Sequence, residues 1–429
     1  MLKQLHFKPI WGLAVAGALT AAGCAVNPVT GEKELSIVSA AQEVQLGEQN
    51  YHPQIQSQGG RYHVDPDLQL YINEVGQKLA RVSDRPGLPY KFTVLNNSVP
   101  NAWALPGGKI AVNRGLLMYL QDESQLAAVL AHEIVHAAAR HSAQQMTKTQ
   151  LLGGTLAVLG AATQGSGYEG AISEFGQVGA SAILARYGRD DELESDKYGM
   201  QYMSRAGYDP YGAVELQETF VKLSQGRQSD PISALFASHP PSQARVNANR
   251  EHAKSLSGGQ RYRDRYQRAI AQLKKDTPAY KAAEEAIKLL NSKDSAGALK
   301  QLDRAVAIQP DEAEFWELRG YAWEMQKSYD NAAKSYGTAI AKNPDYFKPH
   351  ALRGLVRFEL GQHREAEQDL LRSYQILPTQ TAAYYLGELA YQRNDYSTAQ
   401  KYFQQVANGS GELADKARSR IAQMAQAGQ

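Results

Sequence analysis

Residues spaced by 34 recur through the C-terminal third of the chain, and that interval constrains the fold more than any other feature. Pro310, Pro344 and Pro378 stand 34 apart, as do Ala298, Ala332 and Ala366, with Ala399 following at 33. Gly320 and Gly354 repeat at 34 and Gly387 at 33, and Ala286 holds the equivalent place one repeat earlier. Large residues keep the same register at Leu302, Tyr336, Leu370 and Phe403. Each period carries two amphipathic helical patterns, too little to bury an apolar face alone, so neighbouring units must stack into one continuous core. Small residues let paired helices approach, and a proline without its N–H ends the second helix of each pair. We expect an α-solenoid of four repeats over 278–411 and a polar capping helix over 412–429.

These repeats resemble the tetratricopeptide pattern, with Trp316, Gly320, Trp323, Ala332, Tyr336, Ala339 and Pro344 as the best single copy. Their tyrosines read first as core and groove packing, and only second as a recognition surface. Ahead of them, 251–277 is polar and charged and reads as a linker, with a helix near 267–273. A chain of 429 residues leaves room for a further domain, which we place at 24–250. Within it, 90–95 alternates at period two, and 110–112 is a second apolar run after the turn Pro106-Gly107-Gly108, so both are predicted strands. The flanks, 68–82 and 123–150, carry helical spacing.

Composition narrows the chemistry. Lys and Arg number 46 against 44 Asp and Glu, which gives no reason to invoke nucleic acid. The one cysteine, Cys24, excludes an internal disulfide, thiolate zinc clusters and iron–sulfur centres. A metal would have to rest on histidine and carboxylate. Lys3 and Lys8 precede an apolar run, 9–20, and Ala21-Ala22-Gly23 leads into Cys24. This is a secretory signal over 1–23, too short and wrongly flanked for a spanning helix. Ala-Ala-Gly-Cys resembles a bacterial lipobox, which implies cleavage before Cys24 and lipidation of it. Ala25, rather than Asp, after the cysteine implies sorting to the outer membrane. Plain secretion with an incidental cysteine is the alternative.

The catalytic candidates begin with the string His132-Glu133-Ile134-Val135-His136, on a helical pattern with an acidic start at Asp122 and Glu123. At 3.6 residues per turn the two histidines lie about 40° apart and one turn along the same face, so both imidazoles can meet one ion. Glu133 sits beside them, placed for a water rather than for the metal. With 10 histidines in 429 residues, a chance copy of this motif has a probability of roughly one or two in a hundred. The third ligand must come from elsewhere. Ala139 and Ser142 rule out the extended motif with Gly and His at those places, and His141 is off by one. No Asp or Glu lies between 137 and 168. Glu169 and Glu174 come next, in a Gly-rich apolar stretch, 151–179, that reads either as a lid or as a packed inter-helical hairpin. Beyond it, Glu192 and Asp196 stand four apart on one helical face. Glu192 can complete a His-His-Glu site, and Asp196 can hydrogen-bond the outer nitrogen of a ligating histidine.

The chain at this point resembles the gluzincin peptidases, a group that includes the CAAX prenyl proteases, the mitochondrial Oma-type proteases and bacterial periplasmic relatives. The resemblance covers about residues 25–250. It rests on Asn27-Pro28-Val29-Thr30-Gly31, on 101–108 (Asn-Ala-Trp-Ala-Leu-Pro-Gly-Gly), on the His132–His136 string, on Arg189, Glu192 and Asp196, and on Ser238-His239-Pro240-Pro241. Ser195 stands where the group usually has Ala. The resemblance implies an α+β, mostly α fold: a helical metalloprotease domain with a small β-sheet, followed by the repeats. It implies one Zn2+ per chain on His132, His136 and Glu192, with Glu133 as general base. His239 becomes a candidate fourth ligand or transition-state donor, and Arg245 and Asn101 contacts to substrate or oxyanion. It further implies a periplasmic endopeptidase, held at the outer membrane by lipid on Cys24, that degrades misfolded or stalled outer-membrane proteins and aids their assembly. The repeats would bind unfolded substrate or the assembly machinery. The rival reading is a chaperone-like repeat scaffold with catalysis secondary.

Overall fold

The computed structural model describes residues 23–151, 187–225 and 233–426. The signal up to residue 22, and Glu169 and Glu174 with nearly all of the Gly-rich stretch expected as lid or hairpin, lie outside the described residues. An antiparallel hairpin of β1 (Gly23–Val26) and β2 (Lys33–Ser36) opens the chain. Helices α1 (Ala40–Ser57) and α2 (Pro66–Ala80) follow, the first closed by a capping box of Ser39 and Gln42, the second by the Asp65 cap ahead of Pro66. Then come β3 (Lys91–Leu95), β4 (Ala102–Leu105) and β5 (Lys109–Asn113). β5 is central, parallel to β3 and antiparallel to β4, which leaves β4 as an outer strand.

The short α3 (Arg114–Leu117) leads to α4 (Glu123–Ala138), which is buried along nearly its whole length. Asp122 caps its start, and the buried Glu123 carboxylate accepts from Tyr71, Tyr208 and Arg265. Helix α5 (His141–Leu151) comes next, and α6 (Arg189–Arg205), α7 (Tyr211–Ser224), α8 (Ser233–Ser238) and α9 (Gln243–Ala253) complete the domain. Gly199 lets α6 lie close to α4, because a Cβ there would stand 3.2 Å from the His132 backbone nitrogen.

The helical spacing over 123–150 is realised as two helices, broken at Arg140, whose φ of 67° no helix interior adopts. Glu43, buried on α1, draws the Arg140 guanidinium away, and Val38 accepts from the same group. The segment 251–277, read as a linker with a helix near 267–273, is more helical and more tightly packed than that reading expects. It contains α10 (Arg263–Ala269) and the start of α11 (Ala271–Asn291), and Tyr266, Ile270 and Leu273 are buried in a core shared by the first domain and the first repeat. Few apolar residues in a polar stretch suffice when each one is fully inserted.

Four helix pairs then stack: α11 with α12 (Ser295–Ile308), α13 (Ala313–Met325) with α14 (Tyr329–Lys342), α15 (Phe347–Glu359) with α16 (His363–Ile376), and α17 (Gln380–Gln392) with α18 (Tyr396–Ala407). α19 (Glu412–Gln426) covers the end. The small–large register has a direct cause. A Cβ on Gly320 would come within 2.4 Å of the Tyr336 ring, on Gly354 within 2.8 Å of Leu370, and on Gly387 within 2.7 Å of Phe403. The repeats are fastened to the first domain by polar contacts at helix starts. Gln56 of α1 accepts from the Phe347 N–H, Asn96 donates to Glu312 at 2.8 Å, and Arg114 reaches Glu314 at 3.2 Å while lying 3.6 Å over the Tyr280 ring.

Glu324 on α13 is buried with no cation beside it among the described residues. One carboxylate oxygen accepts from the Tyr336 hydroxyl and the other has no partner, and burial pushes its pKa up to about 8. The fold therefore holds this proton more tightly than the unfolded chain does. Its stabilising effect is full below the ordinary value near 4.5 and is lost as pH rises through about 8. Glu324→Gln is expected to raise stability by about 1–2 kcal/mol at pH 9 and by little at pH 5. The gain stays small because the new amide N–H inherits the unpaired position. Thermal unfolding of both proteins across that range checks it.

Candidate metal centre

Helices α4 and α6 bring the expected ligands together. His132 and His136 lie one turn apart on α4, and their Nε2 atoms are 3.0 Å from one another. Glu192, on the first turn of α6, places its two carboxylate oxygens 3.5 Å from those nitrogens, Oε2 near His132 and Oε1 near His136. His239, just beyond α8, approaches from the far side, Nδ1 3.0 Å from Glu192 and Nε2 3.5 Å from Glu133. One donor atom from each of His132, His136, Glu192 and His239 lies within 4.8 Å of all the others.

The outer nitrogens are occupied. His132 Nδ1 is 3.0 Å from Asp196, the role expected of that residue, and His136 Nδ1 is 2.8 Å from His141 Nδ1. Both Nε2 lone pairs are thereby turned into the same space, an arrangement that needs positive charge between them. The electrostatics agree. Burial disfavours a charged His132, yet the Glu192 and Asp196 carboxylates outweigh it and push the imidazole up to about 10. Burial pushes His136 down, so it stays neutral. Against its own burial, Glu192 is held well below the carboxylate range by His239 and His132. Two neutral-capable imidazoles and a carboxylate, with a further imidazole beside them, fit zinc in both donor type and number.

Glu133 is buried, and burial raises its pKa while His239 and His132 oppose the rise. Its Oε2 has no partner, which is the state a proton acceptor needs. The cleft beside it is bounded by Ala102 of the outer strand β4 on one side and by Met203, Phe220 and Leu235 on an apolar side.

Arg245, expected to contact substrate or oxyanion, lies at the cleft lining with its guanidinium engaged by protein groups. It forks onto Asp196 with two bonds of 2.7 Å, reaches Glu192 at 2.8 Å and donates to the Pro240 carbonyl. Nearly all its donors are used, so its work is to hold the two carboxylates in place. Asn101 is buried at the start of β4; the cleft is lined by its neighbour Ala102, and the Asn101 Oδ1 has no partner. Of Cys24, the backbone pairs with Leu35 in the hairpin.

Three contributors escaped sequence reasoning. Tyr187 stacks on His136 with ring centroids 3.7 Å apart. Ser195 puts its hydroxyl 3.3 Å from His136 Nδ1. His141, discarded for its spacing, abuts His136 because the Arg140 break turns it back. No one-dimensional signal marks Tyr187, Ser195 stands out only as a departure from Ala, and spacing alone sets His141 aside.

Comparison with known proteins gives the same picture. The model of peptidase family M48 matches residues 66–253, and that of the tetratricopeptide repeat matches 280–347 and 351–412. The chain is 30% identical over 239 residues to the beta-barrel assembly-enhancing protease of Escherichia coli, covering 53% of this chain and 47% of that protein. It is 30% identical to the mitochondrial metalloendopeptidase OMA1 of Schizosaccharomyces pombe, covering 51% of this chain and 63% of the relative. The metalloprotease YcaL of Escherichia coli is also 30% identical, over 43% of this chain and 72% of its own length. The chain thus spans about half the length of the first of these relatives. The gluzincin and repeat resemblances drawn from the sequence are both borne out: this chain belongs to peptidase family M48, with tetratricopeptide repeats after its peptidase region.

Proposed function

We propose that the protein is a zinc metalloendopeptidase of the bacterial envelope that degrades misfolded or stalled outer-membrane proteins and aids their assembly. The observation that carries this reading is an unpartnered, buried Glu133 oxygen beside a convergent His132, His136 and Glu192. In it, His132, His136 and Glu192 hold one Zn2+ per chain. Bound there, the ion supplies Lewis acidity toward a scissile carbonyl and lowers the pKa of water to roughly 7. Glu133 takes the proton of the attacking water on Oε2 and passes it to the leaving amine as the C–N bond breaks. Asp196 and Arg245 keep His132 and Glu192 aimed. His239 is a fourth ligand at rest, or a donor to the oxyanion once substrate displaces it. The outer strand β4 supports pairing with an extended, unfolded segment, which reads backbone rather than side chains.

The names of the bacterial relatives support the envelope and outer-membrane part. The repeats support capture of a protein partner or substrate, and Val26 and Leu35, exposed on the hairpin carrying Cys24, suit a chain held at a lipid surface by that cysteine. The test is incubation of the purified protein with a denatured outer-membrane β-barrel protein. We expect endoproteolytic cleavage that stops on chelation and returns with one equivalent of zinc. Cleavage indifferent to chelator, or none with zinc present, overturns the reading.

A further inference from the structure

We propose that the turn Asn27-Pro28-Val29-Thr30-Gly31, far from the catalytic helix in sequence, is a brace for the metal ligand His136, acting through Glu194 and His141. Asn27 is fully buried at the bend of the β1–β2 hairpin. Its Oδ1 accepts from the Val29 and Thr30 N–H groups at 2.9 and 3.3 Å, its backbone N–H donates to Glu32, and Gly31 closes the bend at φ 76°. With the turn fixed, the Asn27 amide can point only outward from it. It donates to Glu34 at 3.1 Å and to Glu194 at 3.2 Å, 167 residues away on α6.

Glu194 lies 3.3 Å from His141 Nε2. A carboxylate can only accept, so His141 carries its proton on Nε2 and presents a bare Nδ1. At 2.8 Å from that atom, His136 must then place its own proton on Nδ1, which leaves its Nε2 lone pair for the metal. The chain of bonds thus sets the tautomer of a ligand from the hairpin inward. Ser195 is a weaker second acceptor for the same His136 proton, at 3.3 Å. Asn27, Glu194 and His141 are positioning residues: none of them belongs to the ligand cluster.

This inference rests on the metal reading, and its test separates the two. Zinc affinity of the purified full chain is measured by competition with a chromogenic chelator, and cobalt substitution reports ligand-field geometry. His141→Ala is expected to weaken zinc about 10–100-fold and to shift the cobalt absorption bands. Asn27→Ala is expected to weaken zinc several-fold in the parent protein but less than about twofold in the His141→Ala background, because it acts only through that residue. Unfolding of the metal-free variants identifies any general damage, and Asn27→Asp, which keeps the turn but sets a carboxylate against Glu34 and Glu194, is expected to reproduce the loss. Unchanged zinc affinity in His141→Ala, or an Asn27 effect of full size without His141, overturns the brace. A parent protein that binds no zinc removes the metal reading itself.

Discussion

Glu133→Gln is expected to lower peptide hydrolysis at least about a hundred-fold while zinc binding survives. Glutamine matches the carboxylate in shape, so the cleft keeps its form, but an amide nitrogen or oxygen cannot take a proton from water. The lost step is proton transfer in the transition state, so the fall belongs in kcat rather than KM. Stability should not fall with it. Burial already disfavours the charged Glu133, and its Oε2 makes no hydrogen bond that glutamine would forfeit. Steady-state cleavage, zinc content and unfolding temperature of the two proteins check the three parts together. Equal cleavage by both would move the proton acceptor elsewhere and sink the assigned role of Glu133.

The residues that were legible in the sequence are those whose geometry is set within a single helix. His132 and His136 meet because four residues make about one turn, and Glu192 and Asp196 share a face for the same reason. The repeats were legible because Gly320 and Tyr336, Gly354 and Leu370, and Gly387 and Phe403 repeat one steric contact at fixed spacing. What stayed hidden depends on contacts between elements. His141 reaches His136 only because Arg140 leaves the helix for Glu43, 97 residues earlier. Asn27 could be read as part of a motif, but not as the partner of Glu194. The packing of 251–277 is invisible to composition, which averages over its residues, whereas Tyr266, Ile270 and Leu273 are buried one by one. Resemblance places Arg245 near substrate, but its fork onto Asp196 is a contact between elements that no spacing announces.

That fork makes Arg245→Met the most damaging change expected for stability. Methionine fills a similar apolar volume, so the loss is chiefly electrostatic: two carboxylates, Asp196 and Glu192, stay buried without their shared cation. Removing one partner of a buried ion pair costs about 3–5 kcal/mol, because the abandoned charge cannot regain its water. The metal-free protein should lose most, since zinc supplies a second counter-charge to Glu192 but leaves Asp196 exposed to the deficit. Arg245→Lys should recover only part, because an ammonium cannot make the fork. The pH dependence has a definite sign. Although burial raises it, the Asp196 pKa is held at about 2 by Arg245 and His132, against 3.8 ordinarily. Its contribution is therefore full above pH ~4 and disappears as pH falls through about 2. Without Arg245 the buried Asp196 carboxyl binds its proton more readily, so the variant should lose less stability than the parent as pH falls. The gap between the two should be widest near neutrality and close in acid. Urea unfolding at neutral and acid pH, with chelator and with zinc, measures both effects; a loss below about 1 kcal/mol in the metal-free protein would mean that Arg245 is not the counter-ion these carboxylates require.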